Sequence, residues 1–322
     1  MRTATLGVDL GGTKVETAIV DDVGNILAAH RRPTHAGKGA AGIIADIVAC
    51  ARDCLGEASR AAEALGIGVA GQVDAATGTV RFAPNLGWRD VPLRAELEQA
   101  LALRVVVTND VRAATWGEWQ HGAGRGVDDL VCVFVGTGVG GGIVSGGRML
   151  EGCSGSAGEV GHMTIVAGGR RCRCPNRGCL EAYAGGWAIA ERAQEAVRAD
   201  LRAGGTLVAL AGDVQNITAA SVAQAYRQGD PLSCHLVAET GRYLAAGMVG
   251  IVNAFNPCLL ILGGGVIEGL PELIPLVERE IRARALGAAV EPLRVVKAAL
   301  GGDAGVVGAA VLAQKTLVGE YT

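Results

Sequence analysis

Residues 159–181, EVGHMTIVAGGRRCRCPNRGCLE, set three cysteines and one histidine between two glutamates. Cys172, Cys174 and Cys179 follow a C-x-C-x4-C spacing, with His162 ten residues ahead of the first. Three thiolates and one imidazole form a donor set for tetrahedral zinc, and four protein ligands leave such an ion no open position for catalysis. Arg170, Arg171, Arg173 and Arg177 are expected to favour thiolates over thiols. The competing reading is a redox pair, against which stands the lack of C-x-x-C spacing. On the zinc reading the ion pins a loop, and with it Glu159 and Glu181.

Three glycine turns offer a second chemistry: DLGGTK (9–14), GTGVGGG (136–142) and GGGV (263–266). Each ends an apolar, strand-like run, where backbone N–H groups can approach phosphate oxygens while Thr and Lys add a hydroxyl and a charge. One such turn alone reads as a hairpin closure; three together favour a shared nucleotide. Gly136, Gly138 and Gly141 fit G-x-G-x-x-G, but a short strand follows instead of the helix that a dinucleotide-binding fold requires. GGTK lacks the residue order of a Walker A loop. Asn109 and Asp110 stand where the apolar run VVVT ends and a helix begins, the side of an open α/β sheet on which ligands bind. Asp110 reads as a general base toward a hydroxyl attacking a phosphoryl group, or as the N-cap of that helix. Asn85, in FAPNLGW, reads as a turn former or a ligand contact.

The elements that must hold these residues follow from apolar patterning. Alternation over 3–34, punctuated by GGTK and DVGN, predicts three antiparallel strands. A helix is expected over 40–65, a buried strand over 65–74, a helix over 91–101 and a strand over 104–111. The strand–turn–strand pattern recurs over 128–150, which predicts a duplicated α/β architecture with one glycine turn in each half. Residues 185–256 read as mostly helical, 258–267 as a strand entering a glycine turn, and 303–317 as a closing helix with Asp303 at its N-cap.

Half of the 322 residues are hydrophobic but only 3% are aromatic, and 50 are glycine. The core is therefore built from small aliphatic side chains with close backbone approaches. A net charge of −3 gives no footprint for nucleic acid or an anionic membrane surface. No apolar run approaches the ~20 residues of a membrane span, and the N-terminus lacks a signal-peptide layout, so a cytoplasmic protein is expected. Nine cysteines, an odd number, argue against a disulfide framework. Cys50, Cys54, Cys132 and Cys258 are expected as core hydrophobes.

Taken in order, DLGGTK, VAGQVD, APNLGW, TNDVRAATWGEW, GTGVGGGIV, GSAGEVGHM, CRCPNRGCLEAYAGG, ILGGGV and GGDAGVVGAA resemble the ROK family of sugar kinases and repressors across nearly the whole chain. The likeness is closest to its bacterial glucokinase-like members. It implies an α/β, actin-like ATPase fold of duplicated ribonuclease-H-like type. ATP would lie between two lobes and the sugar in the cleft. Residues 1–115 are expected as a small lobe completed by the C-terminal helix 303–322, and 116–302 as a large lobe with the zinc loop. The resemblance makes Asp110 the general base on the sugar's 6-hydroxyl. Asn85, Asn109, Glu159, His162 and Glu181 become sugar contacts, with His162 also on zinc. Gly12, Thr13, Lys14, Gly136, Thr137 and Gly138 would hold phosphates, Gly264 and Gly265 would lie near the adenosine, and Asp9 would organise Mg2+ through water.

The implied reaction is phosphorylation of glucose or a related hexose, as at the entry to glycolysis. N-acetylmannosamine, N-acetylglucosamine or another sugar or cyclitol stays open as substrate, polyphosphate as donor, and a sugar sensor without turnover as a reading of another class. A homodimer or tetramer is implied. The family's repressors carry a helix-turn-helix ahead of the first glycine turn, which here begins at residue 9, so a kinase is expected. Pro175 stands where the family often has Gly, and its fixed φ predicts a somewhat different path for the zinc loop.

Overall fold

The computed structural model describes residues 4–58 and 61–319. Internal contacts divide the chain into two units. The first takes the residues up to Gly126, Leu150–Ala157 and those from Ala299 onward; the second takes Val127–Met149 and Gly158–Ala298. The helix Asp110–Gln120 runs through residue 115 and stays with the first unit.

The first unit contains β1 (Ala4–Leu10), β2 (Lys14–Asp21), β3 (Ile26–Pro33), β4 (Ala62–Val69), β5 (Gln72–Asp74), β6 (Thr79–Ala83), β7 (Trp88–Val91) and β8 (Arg104–Asn109). Its main sheet has the order β3-β2-β1-β4-β8. β1, β2 and β3 pair antiparallel, while β4 lies parallel to both β1 and β8. The second unit contains β9 (Leu130–Val135), β10 (Val139–Ser145), β11 (Arg148–Met149), β12 (Leu259–Gly263) and β13 (Arg294–Lys297). Its order, β11-β10-β9-β12-β13, repeats the first sheet in position and in strand sense. The two hairpins and two crossovers of each half thus realise the duplicated α/β architecture.

Several boundaries differ from expectation. The helix expected over 40–65 runs Gly39–Glu57, residues 59 and 60 lie outside those described, and β4 begins at Ala62. From Ala64 to Val69 every β4 residue is buried, and such a strand is an apolar run that a helix also fits. The run expected as one strand over 65–74 is cut at Ala70–Gly71, and β5 joins β6 and β7 in a separate antiparallel sheet. Cys258 is exposed, because the buried strand starts one residue later, whereas Cys50, Cys54 and Cys132 are buried as expected.

Glycines in the strands have a steric cause. The helix Ala304–Leu317 lies on β1 and β4 so closely that a Cβ on Gly7 would come 1.9 Å from the Val306 carbonyl oxygen, and one on Gly66 1.8 Å from that of Ala309. The same helix meets Asp110–Gln120 at Gly308, where a Cβ would fall 1.6 Å from the Ala113 carbonyl oxygen. Asp303 occupies the N-cap position of Ala304–Leu317, but its side chain makes no capping bond, contrary to expectation. Among the described residues no helix is long and apolar enough to cross a membrane.

Candidate active site

In the first unit the glycine turn after β1 is a tight one, with Gly11 N–H donating to the Lys14 carbonyl at 3.0 Å. Gly12 lies against Asn85: a Cβ there would stand 3.1 Å from the Asn85 Cβ. Asn85 itself sits in the single turn Pro84–Leu86 between β6 and β7, ended by Gly87 at φ +67°. The Lys14 ammonium is held by Glu16, Nζ to Oε2 2.6 Å, so a phosphate contact from it requires that partner to be exchanged. Thr13 is exposed at the turn.

Asp110 follows β8 as the first residue of its helix. The cap is Asn109, whose Oδ1 accepts from Val111 and Arg112 N–H at 3.0 and 3.1 Å while its Nδ2 donates to the Gly71 carbonyl. The sequence left the capping role with Asp110; the fold gives it to the preceding residue. Gly68 of β4 underlies this strand end, where a Cβ would lie 3.1 Å from the Asp110 Cα. Asp9, at the end of β1, completes an acidic pair. Burial pushes its carboxyl up to about 7, and Asp110 adds to the shift, with only Lys14 opposing. A Cβ on Gly305, in the first turn of Ala304–Leu317, would come 2.9 Å from Asp9 Oδ2. A half-buried acid raised by burial and a second acid suits a divalent cation, which would restore the charged form of Asp9. Asp9 therefore fits the role of organising Mg2+.

Glu118 is a positioning residue that patterning did not expose. It is fully buried, and its carboxylate accepts from the backbone N–H groups of Ala123, Ala299 and Leu300 at 2.7–3.0 Å. It thereby ties the helix carrying Asp110 to the segment leading into Ala304–Leu317. An acid within TWGEW, amid apolar neighbours, was its only signal.

In the second unit the turn Gly136–Gly138 between β9 and β10 is gripped from below. Gly136 N–H donates to the Gly138 carbonyl, and the carbonyls of Gly136 and Thr137 accept from Gly186 and Trp187. Glu181 begins the short helix Glu181–Ala184. Its Oε2 accepts from Val139 N–H at 2.9 Å and its Oε1 from Trp187 Nε1–H at 3.2 Å. At 138 a Cβ would meet Glu181 Oε2 at 2.3 Å, so a larger residue there would displace that carboxylate. Gly264 has φ +89° and abuts the Val135 backbone; Gly265 helps line a cavity of about 510 Å³ with Gly136, Thr137, Trp187, Ala220 and Arg227. Its mostly small, apolar lining and its volume suit a nucleoside.

Glu159 and His162 flank the turn Val160–His162, which packs backbone to backbone on β10. A Cβ on Gly161 would stand 1.9 Å from the Val139 carbonyl oxygen, and Gly158 has φ +91°. Ligand atoms of His162, Cys172, Cys174 and Cys179 all lie within 4.8 Å of one another. Cys174 and Cys179 Sγ are 3.6 Å apart, and Cys172 Sγ is 3.7 Å from His162 Nδ1. Zn–S bonds of about 2.3 Å give tetrahedral edges of about 3.8 Å, so the four donors fit one zinc ion. With Nδ1 facing the thiols, the other imidazole nitrogen is left for a different partner.

Among the protein groups alone, burial pushes the Cys172 thiol up to about 12 and raises Cys179 as well. Burial acts the same way on Cys174, but the Asn176 N–H and the neighbouring thiols bring it below its usual value. The arginines do not govern these thiols as expected. Arg170 is bound to Glu195 through two bonds of 2.7–2.8 Å, and Arg173 covers the Trp187 ring. Pro175 is accommodated: residues 171 and 177 pair as a small antiparallel hairpin with Pro175 near its exposed tip, where no backbone donor is needed.

A glucokinase of Streptomyces coelicolor is 37% identical over 97% of this chain and 98% of its own length. A solved ROK family glucokinase from Streptomyces griseus, in complex with glucose and AMPPNP, superposes with a TM-score of 0.86 at 39% identity, covering 97% of this chain and 99% of that one. An N-acetylmannosamine kinase of Escherichia fergusonii is 31% identical over 96% of this chain and 98% of its own. The fold is thus the actin-like α/β fold of these enzymes. With the family model matching residues 5–316, the chain belongs to the ROK family.

Proposed function

We propose that this protein is an ATP-dependent hexose kinase that transfers the γ-phosphoryl group to the 6-hydroxyl of glucose. Full-length likeness to glucokinases supports the class and the donor. The observation that carries the chemistry is Asp110, set at the end of β8 with Asn109 doing the capping and Asp9 as its acidic neighbour. Asp110 accepts the 6-hydroxyl proton as that oxygen bonds to the γ-phosphorus. The bond from phosphorus to the bridging oxygen breaks and ADP departs. Backbone N–H groups at Gly12 and Thr13 of the one turn, and at Thr137 and Gly138 of the other, receive phosphates, while the Gly136 N–H is spent on closing its own turn. When bound, Mg2+ neutralises charge on the phosphates, and Asp9 is the residue to organise it.

Asn85, Glu159 and His162 hold sugar hydroxyls. Asn109 and Glu181 contribute what their backbone duties leave: one amide N–H and spare carboxylate lone pairs. Gly264 and Gly265 flank the adenosine. Zinc, on His162 and the three cysteines, holds the loop and takes no part in the reaction, since four protein ligands close it. A homodimer or tetramer accords with the family resemblance, and light scattering in solution tests it.

A coupled assay across a sugar panel, run with ATP and with polyphosphate, tests the assignment. Glucose with ATP should give the highest kcat/KM. Preference for N-acetylmannosamine, a substrate suggested by the relative at 31% identity, would replace glucose while leaving the kinase chemistry intact.

A further inference from the structure

Trp187 occupies a junction within the second unit that the reaction scheme above does not use. Its backbone N–H donates to the Thr137 carbonyl at 3.1 Å, fixing it to the phosphate turn. Its indole N–H donates to Glu181 Oε1, and the other oxygen of that carboxylate holds Val139 at the far end of the same turn. Trp187 forms part of the wall of the 510 Å³ cavity beside Thr137 and Ala190. It also borders a second hollow lined by Arg171, Arg173, Pro175 and Glu191 of the cysteine hairpin and its neighbouring helix. The Arg173 guanidinium lies over the ring, 4.5 Å from its centroid. Arg170, three residues earlier, spends its charge on Glu195; among the described residues Arg173 makes no ion pair. A guanidinium so placed acts on the indole through its π face.

We propose that Trp187 is a binding residue for the phosphoryl donor, and that Arg173 positions it. The cysteine hairpin then serves donor affinity and not the acceptor sugar alone. The route is short: Cys172 and Cys174 fix Arg173 between them in sequence, Arg173 presses on the indole, and the indole bounds the nucleoside cavity. Glu181, two residues after Cys179, secures the opposite edge of the indole and the turn itself. This rests on reading the cavity at Gly136–Gly138 as the donor site.

Calorimetry on protein with wild-type metal content tests it, using Mg·AMPPNP and glucose as separate ligands. Arg173→Ala should weaken AMPPNP about two- to fivefold, the range of an exposed cation–π contact. Arg173→Lys should recover part of that loss. Trp187→Phe, which keeps a ring but loses the indole N–H, should weaken AMPPNP about two- to tenfold. Glucose affinity should move by less than about twofold in the two Arg173 variants, and by less than AMPPNP affinity in Trp187→Phe, a split that general loosening of the fold would not give. Ala220→Trp, an exposed substitution on the cavity wall, should abolish AMPPNP binding. If it does while Arg173→Ala and Trp187→Phe leave AMPPNP affinity unchanged, or shift both ligands equally, the inference is overturned. Normal AMPPNP binding by Ala220→Trp would instead overturn the donor-site reading beneath it.

Discussion

The two units repeat one sheet plan, strand for strand, yet carry opposite kinds of chemistry. In the first, Asp9 lies one residue before the end of β1 and Asp110 directly follows β8; burial, reinforced by Asp110, raises Asp9 to about 7. In the second, β9 runs into Gly136, β12 ends on Gly263, and β13 ends on Lys297, which pairs with Glu268. The second unit's cluster of soft donors sits in the segment after β11, where four ligand atoms within 4.8 Å supply everything that one zinc ion needs. On the proposed reading the first cluster is incomplete without a transient guest, and the second is complete with a permanent zinc ion. On that reading the duplicated scaffold separates the group that reacts from the group that holds, and each can be disturbed alone.

The largest effect should come from the incomplete side. Asp110→Asn keeps shape and hydrogen bonding but cannot take the proton. The expected fall in kcat is about 10²- to 10⁴-fold, with glucose affinity by calorimetry nearly unchanged. Near-normal kcat would remove Asp110 as the base. On the complete side, chelation or Cys174→Ser should release residues 159–181, seen as lost amide protection there, while β1 and β8 stay protected. Glucose affinity should fall about tenfold or more, because Glu159, His162 and Glu181 lose their setting. Retained glucose affinity after full metal loss would break the link between the hairpin and the acceptor.

How much of this could be read in advance depended on how local the signal was. DLGGTK and GTGVGGG announce their turns because glycine there answers short-range sterics, and the spacing of Cys172, Cys174 and Cys179 places three thiols within one hairpin. The strand pattern repeated over 128–150 disclosed the duplication. What stayed hidden depends on distant partners. β4 is buried and apolar from Ala64 to Val69, so only its pairing with β1 and β8 separates it from the end of a helix. Gly7 and Gly66 look like weak strand residues until Ala304–Leu317 is laid across them. Asn109 and Asp110 are equally good caps by type, and the backbone chose between them. Trp187 lacks any motif, since its three contacts come from residues 137, 173 and 181.

The smallest effect is also the one that tests the acidic pair most directly. Asp9 has a folded pKa near 7, above the ordinary carboxylate value of 3.8. In metal-free, nucleotide-free protein the folded state therefore holds the proton more tightly than the unfolded chain. Unfolding releases it between about pH 4 and 7, so this group's contribution to stability declines as pH rises through that window and levels off above it. Asp9→Asn carries no titrating proton. Its melting temperature should match wild type near pH 4, and its advantage should grow toward pH 7 and then stay constant. Excess Mg·AMPPNP should shrink the advantage above pH 7, because the guest stabilises only the chain that retains the acid. The same variant should lose activity, the usual exchange where a strained acid serves a reaction. A melting-temperature difference independent of pH would mean that Asp9 is ionised in the folded chain throughout, and the contrast between an incomplete and a complete cluster would fail at its first member.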